Sequence, residues 1–151
     1  MIKQIDISNF DEVLSLLSEI KDDFGFSLDD KVAIDEYAEK FLSLAYCLGY
    51  YKDGCLVSII ATYCNDFISR KGYVTIVGTR KQYRGQGVTK LLFKELFVHL
   101  ESLPIEVIDI TTSNPIACQL YSKLGFVITQ EYVTDSGLQR WEMSKRIKNK
   151  E

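Results

Sequence analysis

The apolar positions of this chain change period several times, and each change marks an element. Residues 2–7, Ile-Lys-Gln-Ile-Asp-Ile, alternate loosely and read as an opening strand. Phe10, Val13, Leu14, Leu17 and Ile20 then recur at intervals of three and four. That spacing predicts a helix to about Lys21, with Ser8 or Asn9 as its N-cap. Ile34, Tyr37, Ala38, Phe41 and Leu42 form the face of a second helix, for which Asp29 and Asp30 offer caps. The intervening loop, 22–28, carries Phe24 and Phe26.

Two strands, about 45–52 and 55–65, flank Asp53-Gly54, a dipeptide suited to a tight hairpin turn. A third strand covers 72–79. A helix from Gln86 or Gly87 to about Leu100 follows, with Val88, Leu92, Leu96 and Leu103 on one arc, widened by Phe93 and Leu100. Pro104 ends that connection, and 105–112 is another strand. Asn114-Pro115 opens a short helix with proline at its first position, and Gly125 stops it. Segments 126–134 and 138–145 form a closing hairpin around Asp135-Ser-Gly137, and a polar tail, 146–151, is expected to fray. The order β-α-α-β-β-β-α-β-α-β-β predicts an α/β fold whose mixed, mostly antiparallel sheet has one parallel pair at its centre. That pair follows from the crossover helix between the strands at 72–79 and 105–112.

Size and composition narrow the picture. At 151 residues, 46% apolar and 26% charged, without repeats or Gly/Ser/Pro-rich linkers, the chain reads as one globular domain over 1–151. A net charge of −3 argues against a nucleic-acid binder, yet Arg80, Lys81, Arg84, Lys90 and Lys94 gather around a glycine turn. No segment has the form of a signal peptide or the length of a membrane span. Cys47, Cys55, Cys64 and Cys118 form no C-x-x-C pair, so they read as buried free thiols in a cytoplasmic protein, with no metal site.

The candidate chemistry lies in the strand-turn-helix from Val74 to Phe93. A glycine-rich turn feeding a helix directs several backbone N–H groups and the positive end of the helix dipole at one spot, which suits an anion such as phosphate. Two common phosphate motifs fail here: no glycine is followed by Lys-Ser or Lys-Thr, and the third position after Gly87 is Lys90 where a dinucleotide fingerprint needs glycine. What remains is Gln82-x-x-Gly85-x-Gly87.

That turn resembles the Q/R-x-x-G-x-G/A signature of the GNAT superfamily of acetyl-CoA-dependent N-acetyltransferases. A second segment resembles the family's other signature, N-x-x-A-x-x-x-Y-x-x-x-G-F, at Asn114, Ala117, Tyr121, Gly125 and Phe126. The element order matches as well, so the resemblance spans essentially the whole chain and implies the single-domain GNAT-like fold with helices on both faces of the sheet. It implies acetyl-CoA as cosubstrate. Its pyrophosphate would lie on the amides of Gln82, Tyr83, Arg84, Gly85, Gln86 and Gly87, with Val88 and Thr89 at the helix start. The pantetheine arm would lie along an open edge of the strand 72–79, and an N–H between Val77 and Thr79 would polarise the thioester carbonyl. Asn114 would lie against the cofactor, besides capping its helix. Tyr121 would protonate the departing thiolate, although packing alone also explains an aromatic there.

Two departures stand out. Thr89 occupies a position where the family often has glycine, and its hydroxyl is expected to add a phosphate contact. Relatives often carry a general-base carboxylate on the strand before the turn, but Tyr73-Val-Thr-Ile-Val77 has no acid. Asp66, Glu106, Asp109 or a water relayed by Tyr73 or by backbone carbonyls stay open for that role, and no base is assigned. His99 and Cys118 read as packing residues. The expected acceptor is a small-molecule amine or amino sugar, with no nucleic acid or membrane partner, in a monomer or homodimer. Tyr50, Tyr51, Tyr63, Phe67 and Tyr73 suggest an aromatic-lined cleft. The alternatives are a protein N-terminal or lysine acetyltransferase, a non-catalytic acyl-CoA-binding or sensory module, and a phosphate-binding regulatory domain.

Overall fold

The computed structural model describes residues 1–23 and 31–148. The proposed caps Asp29 and Asp30, the loop aromatics Phe24 and Phe26, and the end of the tail lie outside the described residues. The elements run β1 (Ile2–Ile5), α1 (Phe10–Ile20), α2 (Lys31–Leu44), β2 (Tyr46–Lys52), β3 (Cys55–Tyr63), β4 (Lys71–Thr79), α3 (Val88–Glu101), β5 (Val107–Thr112), α4 (Pro115–Lys123), β6 (Val127–Val133) and β7 (Gln139–Arg146). The seven strands form one sheet in the order β1-β2-β3-β4-β5-β7-β6, in which only β4 and β5 are parallel. The predicted order and mixed sheet both appear.

Helices cover both faces of the sheet. On one face α1 and α2 bury Val13, Leu16, Leu17, Ile20, Ala38 and Phe41 against Ile59, Ala61 and Ile76. On the other, α3 and α4 bury Leu92, Phe93, Leu96, Leu100 and Tyr121 against Ile60, Val74, Ile108 and Ile110. Each large side chain taken fully out of water contributes about 1.5–3 kcal/mol, so the two clusters hold the layers together. Leu16 belongs to the first cluster although the apolar spacing did not single it out, whereas Leu103 falls beyond the end of α3.

Local chemistry corrects several boundaries. The opening strand stops at Ile5 because Asp6 caps a short 3-10 turn over Ile7–Asn9. Its carboxylate accepts from Ser8 N at 2.9 Å, while Asp6 N donates to Asn9 Oδ1 at 3.1 Å. Asn9, one of the two expected caps, is the N-cap residue of α1 but makes no side-chain bond to its amides; the side-chain capping belongs to Asp6 and the turn before it. The β2–β3 hairpin turns through Asp53 (φ 51°) and Gly54 (φ 78°), the left-handed pair that a two-residue hairpin loop requires. Of the four thiols three are buried, but Cys55 is exposed, since it begins β3 directly after that turn.

Candidate functional site

β4 is not an open edge along its whole length. It pairs with β3 from Tyr73 to Thr79, but with β5 only from Lys71 to Val74, opposite Val107 to Ile110. Both strands continue past that point, β5 held by β7 alone. A mouth therefore opens between their carboxyl ends, flanked by residues 75–79 of β4. Thr75 is the extra residue of a bulge: Ala61 opposes Ile76 and Thr62 opposes Val74. Because of it, Val74 packs toward α3 while Ile76, two positions on, packs toward α1 and α2. Tyr37 of α2 pins the bulge, donating its hydroxyl to Thr75 O at 2.7 Å with Thr75 Oγ1 at 2.9 Å. Burial pushes the Tyr37 phenol up to about 12.

The glycine turn lies at the end of β4. Gly85 (φ 74°) and Gly87 (φ 80°) are left-handed, and a Cβ on either would meet nothing within 4 Å. Backbone conformation, rather than crowding, is what demands glycine there. Gly87 is also the N-cap of α3 and has no side chain with which to cap it. The first backbone bond of the helix runs from Leu91 N to Gly87 O at 3.2 Å. Among the described residues the amides of Gly85 to Lys90 have no acceptor. The start of α4 differs, because Asn114 Oδ1 accepts from Ile116 N at 2.9 Å and from Ala117 N at 3.4 Å. A run of uncapped amides at a helix N-terminus is a ready anion cradle.

The basic cluster is smaller than the sequence suggests. Arg80 is used internally: its Nε donates to Leu56 O, and its two terminal nitrogens reach Glu19 and Ser15. Arg84 Nε donates to Thr79 O at 3.0 Å, tying the turn to the strand end. Lys90 and Lys94 lie exposed on α3. Gln86 Nε2 donates to Gln82 O, and Lys52 Nζ lies 5.7 Å from the centre of the Tyr83 ring. Thr79 Oγ1 lies between Ser58 Oγ (2.7 Å) and Thr89 Oγ1 (3.1 Å). Val77 is half-buried along the mouth, and Val88, the first residue of α3, is buried.

Tyr121 is 5% exposed, packed on Phe93 and Phe126 with ring centres 5.5 and 6.0 Å away. Its hydroxyl has no hydrogen bond among the described residues, and burial holds its pKa well above the ordinary phenol value. Gly125 (φ 103°) ends α4, and the Lys145 ammonium fills the space a Cβ would take. Cys118 is buried, which raises its thiol pKa and disfavours the thiolate an acyl carrier needs. His99 stacks on Tyr46 at 3.6 Å, with its pKa lowered by burial.

The three carboxylate candidates now differ. Asp66 accepts from Ser69 N and Ser69 Oγ in a surface turn, and those bonds lower its pKa. Glu106 pairs with Arg70 at 3.4 Å. Asp109 is half-buried and has no ion pair or hydrogen bond to its side chain among the described residues. It stands in register with Tyr73 of β4 and Ser144 of β7, on the face opposite Ile108 and Ile110, one step before β4 and β5 part. The five proposed cleft aromatics do not share one wall. Tyr63 and Tyr73 are cross-strand partners, whereas Tyr51 bonds to Glu12, Tyr50 packs toward α3 and Phe67 is exposed in the β3–β4 turn. Sequence reasoning missed Ser58 and Tyr37, whose roles arise from long-range contacts with no local signature.

Among the described residues no cluster of His, Cys, Asp and Glu suits a metal ion, and no helix is long and apolar enough to cross a membrane. The family model described as "Acetyltransferase (GNAT) domain" matches residues 25–147. No curated protein matches the sequence. Among solved structures, the ribosomal-protein-S18-alanine N-acetyltransferase of Escherichia coli is similar at TM-score 0.82 and 16% identity, over 100% of this chain and 96% of that one. An aminoglycoside 6'-N-acetyltransferase complexed with coenzyme A gives 0.81 and 14%, over 100% and 99%. The PaiA N-acetyltransferase of Thermoplasma acidophilum, in complex with coenzyme A, gives 0.72 and 15%, over 97% and 98%.

Proposed function

Because the chain belongs to the GNAT acetyltransferase family, we propose that it transfers an acetyl group from acetyl-CoA directly to a primary amine, most simply that of a small molecule. The observation that carries this reading is the run of uncapped amides from Gly85 to Lys90, set beside the mouth where β4 leaves β5. A pyrophosphate needs several converging donors, and this helix start offers them with no acceptor among the described residues. Along residues 75–79 of β4, Tyr37 takes Thr75 O and Arg84 takes Thr79 O, and the remaining strand-edge groups would serve the amide-rich pantetheine arm as an added strand uses them. Acetyl-CoA, when bound, supplies an activated acyl group as a thioester.

The chain's own residues would do the rest. An N–H between Val77 and Thr79 stabilises the charge that grows on the carbonyl oxygen. Tyr121, protonated throughout the physiological range, gives its proton to the departing sulfur. Asp109 is the carboxylate best placed to receive a proton from the acceptor amine, directly or through water. It stands beside Tyr73 on a sheet face that also carries Lys71 and Arg146, the partners of Val107 two positions earlier on β5.

A screen of thiol release from acetyl-CoA against small amines, amino sugars and peptides tests the reading. Turnover with at least one amine is expected, together with a raised melting temperature in acetyl-CoA alone. Stabilisation without turnover by any amine would point to a binding module. Absence of stabilisation would remove the cofactor assignment.

A further inference from the structure

Three hydroxyls run in a row from the middle of the sheet to the anion cradle. Ser58 of β3 is fully buried, Thr79 at the end of β4 is nearly so, and Thr89 is the second residue of α3. Ser58 Oγ donates to Gly78 O at 2.9 Å and lies 2.7 Å from Thr79 Oγ1, which lies 3.1 Å from Thr89 Oγ1. Each hydroxyl has a single proton to give. The only assignment that makes all three bonds therefore runs Thr89 to Thr79, Thr79 to Ser58, and Ser58 to Gly78 O. With that polarity Thr89 presents only lone pairs to its surroundings, next to amides that await an anion.

Phosphate oxygens are acceptors only, so a Thr89 hydroxyl in that state would repel them. The row has a second polarity with the same number of bonds. Thr89 turns its proton outward, Thr79 donates to Thr89, and Ser58 donates to Thr79. A phosphate oxygen then replaces Gly78 O as the terminal acceptor. Ser58 and Thr79 are shielded from water, so no solvent molecule competes for the exchanged bonds, and a charge at one end polarises the whole row.

We propose that Ser58, Thr79 and Thr89 form a reversible hydroxyl relay that adds a side-chain donor to the phosphate cradle when the pyrophosphate of the donor arrives. Thr89 makes the contact, and Ser58 and Thr79 are positioning residues that set its proton. The proposal rests on the coenzyme A reading above. It also explains why threonine serves where a glycine would leave the cradle with amides alone.

The test is calorimetric titration of the full chain with coenzyme A and with pantetheine, which lacks the pyrophosphate. Thr89→Val is expected to weaken coenzyme A binding about tenfold, the usual scale for losing a bond to a charged group. Its affinity for pantetheine should stay that of the wild type. Thr89→Ser, which keeps the hydroxyl, should bind coenzyme A within about twofold of wild type. Ser58→Ala should give a smaller loss, again confined to coenzyme A. Wild-type affinity in Thr89→Val, or a loss that Thr89→Ser shares, overturns the relay. Equal weakening toward both ligands makes it a structural tie and overturns it too. A wild-type protein that binds no coenzyme A removes the underlying reading instead.

Discussion

At the scale of single residues, Tyr121 shows how burial and chemistry combine. Its ring is part of the α3–α4 core, while its hydroxyl has no protein partner among the described residues. Removing that hydroxyl therefore takes away no hydrogen bond. Tyr121→Phe should fold with near wild-type stability at neutral pH, and its turnover should fall at least about a hundredfold, the lower end of what a proton donor contributes. Burial raises the folded pKa of this phenol above the unfolded value of about 10. Its neutral form thus supports folding fully below pH ~10, and that support is lost as pH rises through the folded value. Denaturant melts from pH 8 to 12 should show the wild type losing stability above pH ~10, and Tyr121→Phe losing less. Full turnover in the variant would leave Tyr121 a packing residue. Tyr37, pushed up to about 12 by burial, contributes with the same sign and remains in both proteins.

At the scale of elements, the two helix starts near the mouth are built in opposite ways. α4 closes its first amides on Asn114 Oδ1, whereas α3, with Gly87 as its N-cap, leaves its own open among the described residues. Asn114→Ala should lower stability by about 1 kcal/mol, the usual value of an N-cap. Gly87→Ala forces a Cβ into a left-handed conformation and should cost about 1–2 kcal/mol. The two changes separate in binding: coenzyme A affinity should drop clearly in Gly87→Ala, where the turn itself is distorted, and little in Asn114→Ala if its main task is capping. Chemical denaturation paired with titration reads both quantities. A cap loss that abolished binding would instead place Asn114 against the ligand.

At the scale of the whole molecule, the site is a gap in the sheet rather than a cavity in a domain. β4 is fastened on one side by β3 along most of its length, and on the other by β5 for only four residues. Tyr37 reaches from α2 to hold the bulge at Thr75, so the helical layer takes part in shaping the mouth. If an amide-rich arm adds itself to β4, hydrogen exchange within 75–79 and 85–90 should slow on adding acetyl-CoA. Exchange in β2, on the far side of β3, should not change. Protection confined to 85–90 would mean that the phosphates are held but the arm does not lie along the strand.

Much of this was legible in the chain alone, because it depends on interactions between near neighbours. Apolar spacing fixed the order of strands and helices, Asp53-Gly54 fixed a hairpin, and Gly85 and Gly87 marked a turn that only left-handed residues can make. Asn114-Pro115 announced a capped helix start, which the structure contains. Other features were decided by contacts between residues far apart in sequence. The bulge at Thr75 is invisible in an apolar run of β4, since an extra residue shows only against the register of a partner strand. Arg80 looked like a free cation until folding brought Glu19, Ser15 and the Leu56 carbonyl to it. Asp66, Glu106 and Asp109 were equal as letters and became unequal once Ser69, Arg70 and the β4–β5 parting stood around them. Local sequence specifies backbone geometry because turns, caps and periodicity act within a few residues. Which charges are neutralised and which hydroxyls are linked is set by tertiary packing, because those partners come from other elements.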